Sequence, residues 1–85
     1  MSAFQPRLPV RITLLRARGE WRHSITPEGG GFVCGGLGGL SDDADPDQAR
    51  RAAEAMLARL GREFHGAELT VNWDGLTGTV APAQR

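Results

Sequence analysis

One segment of this chain has the spacing of an amphipathic helix, and that segment limits the folds open to the rest. Its apolar side chains recur at helical intervals, at Ala49, Ala52, Ala53, Met56, Leu57, Leu60 and Phe64. Residues 45–48, Asp-Pro-Asp-Gln, combine an N-cap, a proline at the first helical position and a glutamine three residues after the cap. We therefore predict a helix that is capped by Asp45, runs to about His65 and ends on Gly66 in the left-handed conformation.

Two segments before the helix alternate apolar and polar residues with the period of half-buried β-strands. They begin at Val10 and at Trp21, and a two-residue turn at Arg18-Gly19 would join them as a hairpin. The facing pairs would be Ile12 with Ile25, Leu14 with His23 and Arg16 with Trp21. Because the apolar faces of the two strands then coincide, the pattern favours this register.

Three further strands are predicted, one before the helix and two after it. Residues 31–36 form a short third strand that is weakened by its glycines. Residues 67–73 alternate without interruption, and Asp74-Gly75 indicates a two-residue hairpin turn. That turn would pair Trp73 with Leu76, Val71 with Gly78, Leu69 with Val80 and Thr70 with Thr79.

The predicted order of elements is β-β-β-α-β-β. Because one helix covers only one face of such a sheet, we expect a two-layer α+β domain with a mainly antiparallel sheet. The domain would span residues 10–81, with a loose lead-in at 1–9 and a tail at 82–85. The uncovered face would carry Arg11, Thr13, Leu15, Arg22, Ser24, Thr26, Thr70, Asn72, Thr77 and Thr79.

Composition excludes several classes of protein. One cysteine in 85 residues rules out an internal disulfide, and no Cys/His group has zinc-ligand spacing. No apolar run approaches membrane-spanning length, and residues 1–11 lack an apolar signal region, so we expect a cytoplasmic protein. The formal net charge of zero gives no overall attraction to nucleic acid or membrane. We expect no metal or cofactor.

Residues 28–51 combine seven glycines with four aspartates and raise the question of a ligand loop. A phosphate loop of the Walker type needs a lysine, which the chain lacks, and the aspartates would repel an anion at the helix N-terminus. Asp43, Asp45 and Asp47 have the spacing of a calcium loop, with Glu54 at the twelfth position. Gln48 stands where that loop needs glycine, so an acidic helix cap is the favoured interpretation.

Cys34 is the remaining chemical candidate in this stretch. It is interpreted as a small core residue, because a nucleophile needs a base and the chain offers only His23 and His65. The glycines are interpreted as backbone devices, with Leu37 and Leu40 as apolar anchors of the crossing to the helix.

Phe32-Val33-Cys34 and the segment from Asp45 to Leu57 resemble HicB-like antitoxin domains. Those domains have a β-β-β-α-β core with a glycine-bearing third strand and a helix that opens on acids. The sequence GGLGGLSDD stands where the family has Pro-Asp-Leu-Pro-Gly. The resemblance implies a binding module for a small toxin ribonuclease, and one that commonly self-associates.

These observations predict a small, non-catalytic interaction module of regulatory, antitoxin-like type. It would be dimeric, because the core is thin and the outer strands need cover; the third or the last strand would pair across a two-fold axis. The predicted partner-binding residues are Arg11, Thr13, Arg22, Ser24, Thr70 and Asn72. The alternative is a nucleic-acid-binding domain that uses Arg7, Arg11, Arg16, Arg18 and Arg22. The expected sheet face lacks aromatic side chains for base stacking, which favours the protein partner.

Overall fold

A computed structural model describes residues 7–41 and 43–83, and it confirms the predicted α+β class and the order of the elements. The strands are β1 (Pro9–Ala17), β2 (Glu20–Pro27), β3 (Val33–Gly36), β4 (Leu69–Asp74) and β5 (Thr77–Pro82). Helix α1 (Pro46–Leu60) continues into a π-helical turn, Gly61–His65. The strands form one antiparallel sheet in the order β3-β2-β1-β5-β4, so that β3 and β4 are its two edges. The prediction that the last strand could pair across a dimer axis is wrong, because β5 lies between β1 and β4 and has no free edge.

The first hairpin has the predicted register. Ile12 lies opposite Ile25, and Leu14 lies opposite His23. Arg18 and Gly19 both have positive φ, 54° and 77°, as a two-residue loop of the primed type requires. The register shifts between Pro9 and Arg11, where β1 contains a bulge.

The predicted register of the second hairpin is wrong by two residues. Trp73 lies opposite Gly78 instead of Leu76, and the two loop residues are Gly75, with a φ of 66°, and Leu76. A Cβ on Gly78 would lie 3.0 Å from Cε3 of Trp73. The observed register therefore places the indole over the one residue of β5 that has no side chain. Because the shift is two residues, each side chain keeps its predicted face.

Helix α1 begins as predicted. The Asp45 carboxylate accepts a 2.8 Å hydrogen bond from the backbone of Gln48, and the Gln48 side chain accepts one of 2.9 Å from the backbone of Asp45. These reciprocal bonds are a capping box. Gly66 ends the helical segment with a φ of 59°.

Phe64 was predicted to extend the apolar stripe of the helix, and this is wrong. The wider π turn changes the angular position of the residues after Leu60, and Phe64 is 56% exposed. Gly61, in the same turn, packs against the backbone of Ala67, where a Cβ would collide with the carbonyl oxygen.

The core lies between the sheet and α1. Its buried apolar residues are Ile12, Leu14, Trp21, Ile25, Leu37, Ala44, Ala49, Ala53, Leu57, Leu69 and Val80. The alanines of α1 let the helix lie close to the sheet, and the large side chains come mainly from the strands. The helix thus covers one face of the sheet and leaves the other, called here the open face, uncovered.

The ends of the domain differ slightly from the predicted bounds. Leu8 packs against the core and its carbonyl oxygen accepts a 2.8 Å hydrogen bond from the backbone of Glu28, while β5 extends to Pro82. Residues 1–6 of the predicted lead-in and 84–85 of the predicted tail lie outside the described residues. Among the described residues, no helix is both long enough and apolar enough to cross a membrane.

Candidate interaction surfaces

The open face consists of cross-strand rows of short polar side chains. One row contains Cys34, Ser24, Thr13, Thr77 and Asp74, and the next contains Thr26, Arg11, Thr79 and Asn72. Threonine predominates because a β-branched side chain suits the pleated backbone while its hydroxyl faces water. The face therefore presents hydroxyl groups from four neighbouring strands.

The six predicted partner-binding residues all lie on this open face. Arg11, Thr70 and Asn72 are exposed, and Thr13, Arg22 and Ser24 are half-buried. Thr70 donates a 3.2 Å hydrogen bond to the carbonyl oxygen of Ala81, so its hydroxyl is partly engaged. Their common face is established, whereas their role in binding a partner stays a prediction.

The arginines proposed for nucleic-acid binding do not form one cluster. Arg11 and Arg22 lie on the open face, but Arg7 donates to the carbonyl oxygen of Glu28 at the far end of β2. Arg16 lies over the ring of Trp21, with Cζ 5.5 Å from its centroid, on the side of the sheet that α1 covers. A phosphate backbone that follows the open face would meet Arg11 and Arg22 but not Arg7 or Arg16.

The acidic stretch before α1 is used for local structure. Asp43 accepts a 2.8 Å hydrogen bond from Ser41, Asp45 caps the helix, and Asp47 pairs with Arg50. Each of these three carboxylates has its own donor, which is the behaviour of a cap and not of converging ligands. In the part of the chain that the structure describes, no three His, Cys, Asp or Glu side chains are grouped as metal ligands.

Cys34 is exposed, which contradicts its interpretation as a core residue. It lies opposite Ser24 and so points to the open face, whereas His23 points to the helix side and is buried. The thiol and the imidazole therefore lie on opposite faces of the sheet and cannot form a nucleophile–base pair. Cys34 is exposed because β3 is an edge strand at which the open face meets solvent.

The anchors of the glycine-rich stretch are as predicted. Leu37 is buried and Leu40 packs against the core as a half-buried residue. The indole Nε1 of Trp21 donates a 2.8 Å hydrogen bond to the carbonyl oxygen of Ala44, which ties the end of the stretch to the sheet. Gly35 lies directly against His23, whose Cε1 would be 3.0 Å from a Cβ at that position.

Sequence reasoning did not find the apolar surface at the outer edge of β3, called here the β3 edge patch and formed by Phe32, Val33 and Phe64. Their exposed fractions are 72%, 61% and 56%. A groove of about 330 Å³ adjoins the patch, lined by Arg7, Pro9, Ile25, Pro27, Val33, Leu60, Phe64 and His65. The signal was the uninterrupted apolar run Phe32-Val33-Cys34, which suits a strand covered on both faces and which here lies at an open edge.

Comparison of the chain with protein-family models, with curated proteins and with solved structures finds no match. The function is therefore argued from the surfaces described above.

Proposed function

We propose that this chain is a non-catalytic interaction module whose open sheet face binds a protein partner, in the manner of an antitoxin-like regulatory domain that works as a homodimer. The observation that carries the proposal is the open face itself. Four adjacent strands present hydroxyl, amide and guanidinium groups on a surface that no other element of the described chain covers.

The chemistry of that surface indicates the kind of partner. Arg11 and Arg22 are its cations, and its acids Glu20 and Asp74 lie at strand ends on its rim. Arg22 lies 4.0 Å from Glu20, a contact between exposed groups that contributes little. Guanidinium groups flanked by hydroxyl donors and acceptors suit a carboxylate-bearing surface, because arginine binds carboxylates in a bidentate manner. An acidic protein surface is the proposed partner.

The arrangement of reactive groups supports a binding role. Cys34 and His23 are separated by the sheet, and the carboxylates at the helix start are engaged with their own donors. A catalytic site would need such groups to converge.

The proposal is tested by affinity capture from host lysate with three baits: the natural chain, an Arg11→Asp/Arg22→Asp variant, and an Arg51→Asp/Arg59→Asp variant. Arg51 and Arg59 are exposed on α1, so the third bait has the same change of charge on the opposite side of the domain. We expect one acidic protein to be lost by the open-face variant and kept by the helix variant. Equal capture by all three baits would contradict the proposal.

Nucleic acid is the second candidate, favoured by the position of Arg11 and Arg22 on the open face. Binding of mixed RNA and DNA, measured from 50 to 200 mM salt, separates the two candidates. Contact with phosphates would weaken steeply with salt. The protein-partner proposal predicts no saturable binding of nucleic acid at any of these salt concentrations.

A further inference from the structure

We propose that the β3 edge is the homodimer interface, in which β3 pairs antiparallel with β3 of a second copy in a register centred on Cys34. This inference deepens the homodimer part of the proposed function. It joins the two sheets into one continuous sheet and covers the β3 edge patch.

The backbone of β3 has hydrogen-bonding groups available for this pairing. Leu37 donates a 3.0 Å hydrogen bond to the carbonyl oxygen of Trp21, which marks that pair as hydrogen-bonded in the β2–β3 ladder. Because such pairs alternate in an antiparallel ladder, Gly35 and Val33 also point their N–H and C=O groups at β2. Cys34 and Gly36 therefore point theirs outward, away from the sheet, where a further strand can bind them.

The side chains of β3 complement a second copy of themselves in size. Its first half is bulky and its second half is glycine, so an antiparallel pairing about Cys34 places Val33 opposite Gly35 of the other copy. By the same two-fold symmetry Phe32 lies opposite Gly36. Large side chains across from glycine cover an otherwise bare backbone, a device that stabilises glycine-bearing strands. The same complementarity recurs on both sides of the axis.

Charge distinguishes the β3 edge from the β4 edge. Every residue from Val33 to Gly36 is uncharged, so self-pairing brings no like charges together. Strand β4 has Glu68 just before it and Asp74 at its end, and an antiparallel pairing of two β4 strands centred on Val71 places these acids opposite each other. Like charges directly opposite destabilise a strand pair. The acids thus protect β4 from self-association, and β3 has no such protection.

The apolar exposure at this edge supports a second copy as the occupant. Of the five large hydrophobic residues that are exposed in the described part of the chain, three, Phe32, Val33 and Phe64, lie at this edge. Val33 and Phe64 line the same groove on the helix side. Phe32 stands two positions before Cys34, at the start of the strand. A strand added beyond β3 covers both sides of the edge at once, which a small ligand in the groove would not.

Sedimentation equilibrium on the natural chain, a Val33→Lys variant and a Leu15→Lys variant tests the interface. Leu15, at 41% exposed on the open face, is the matched control for adding a charge at an exposed apolar position. We expect the natural chain and Leu15→Lys to be dimers and Val33→Lys to dimerise about a hundredfold more weakly or worse, because two ammonium groups would be forced into one interface. A monomeric natural chain, or a Val33→Lys variant that dimerises as tightly as the natural chain, would overturn the proposal.

The register is tested on the natural sequence, which needs no folding-sensitive variant. In a hydrogen-bonded antiparallel pair the two Cys34 Cα atoms are about 5.5 Å apart, within the range of about 4.4–6.8 Å that a disulfide spans. Mild oxidation with copper phenanthroline, which takes up the two thiol electrons, should give a covalent dimer on a non-reducing gel. Cys34→Ser should abolish that band. A dimer in solution that stays uncrosslinked would overturn the register.

The dimer interface and the open face involve different residues and can be disrupted independently. The Arg11→Asp/Arg22→Asp variant should lose its partner and stay dimeric, because neither arginine lies in β3. Loss of the dimer with retained partner capture in Val33→Lys would leave the open-face proposal intact.

Discussion

The indole Nε1 of Trp73 donates a 2.8 Å hydrogen bond to the Glu54 carboxylate, and this bond joins β4 to α1. The same indole packs against the core and lies over Gly78 of β5. One side chain thus connects the second hairpin to the helix as well as to its own neighbouring strand.

Trp73→Ala is expected to lower the free energy of unfolding by about 3 kcal/mol, the lower end of the range for truncating a large aromatic side chain, because Trp73 is half-buried. Glu54→Gln is the control. Its amide oxygen can still accept the indole hydrogen bond, so the free energy of unfolding of this variant should fall by less than about 1 kcal/mol. Urea denaturation followed by circular dichroism measures both. An unchanged midpoint in Trp73→Ala would mean that the second hairpin is not docked on the helix.

Gly61→Ala tests the close approach of the π turn to the strand segment that follows it. A Cβ at Gly61 would collide with the carbonyl oxygen of Ala67, a backbone atom that cannot rotate away. We expect a loss of about 1–3 kcal/mol, the usual cost of overpacking. Gly38→Ala, in open space and without positive φ, is the matched control and should be neutral or slightly stabilising. Equal melting temperatures for the two variants would contradict the packing described.

Asp45→Ala removes the side-chain half of the capping box and should cost about 0.5–2 kcal/mol. Asp43→Ala removes only an exposed hydrogen bond that Ser41 donates, so it should lower the free energy of unfolding very little. Thermal melting with and without millimolar calcium completes the test, because a bound ion would stabilise the native state by mass action. The cap interpretation predicts no shift with calcium. A rise in melting temperature that Asp43→Ala abolishes would establish a metal loop instead.

Mild acid should destabilise the domain through His23. Burial lowers the pKa of His23 below 6.5, and the charge of Arg22 lowers it further. Its buried Nδ1 has no hydrogen-bond partner among the described residues. Because the folded state disfavours the charged imidazole, this contribution to stability is present above pH 6.5 and is lost as the pH falls from there toward the lowered pKa.

Urea midpoints between pH 7.5 and 5.5 measure the effect. The slope of stability against pH should disappear in His23→Gln and persist in His65→Gln. A slope that persists in His23→Gln would assign the titration to another group.

The parts of the fold that could be predicted from sequence are those with local causes. Arg18-Gly19 and the Asp45–Gln48 box act within a few residues, and both are as predicted. The register of the second hairpin depends on the fit of Trp73 over Gly78, a contact that forms only in the folded sheet. Local turn chemistry alone therefore misplaced it.

For the candidate surfaces too, features with a local cause could be predicted from sequence, and features that depend on the whole sheet could not. Alternation of side chains correctly grouped Arg11, Thr13 and the other open-face residues, because the period of a strand is a local property. Whether Cys34 is buried depends on β3 being an edge strand, which follows from the order of all five strands. The exposure of Phe64 depends on the π turn, which the spacing of the apolar residues did not predict.

We propose that the chain binds its partner through the open face. Hydroxyl-radical footprinting of the purified chain, alone and in complex with the captured protein, tests this proposal. We expect protection of Arg11 and Leu15 on the open face and unchanged labelling of Arg59 on α1. Protection confined to Arg59 and its neighbours on the helix, with Arg11 and Leu15 labelled as in the free chain, would contradict it.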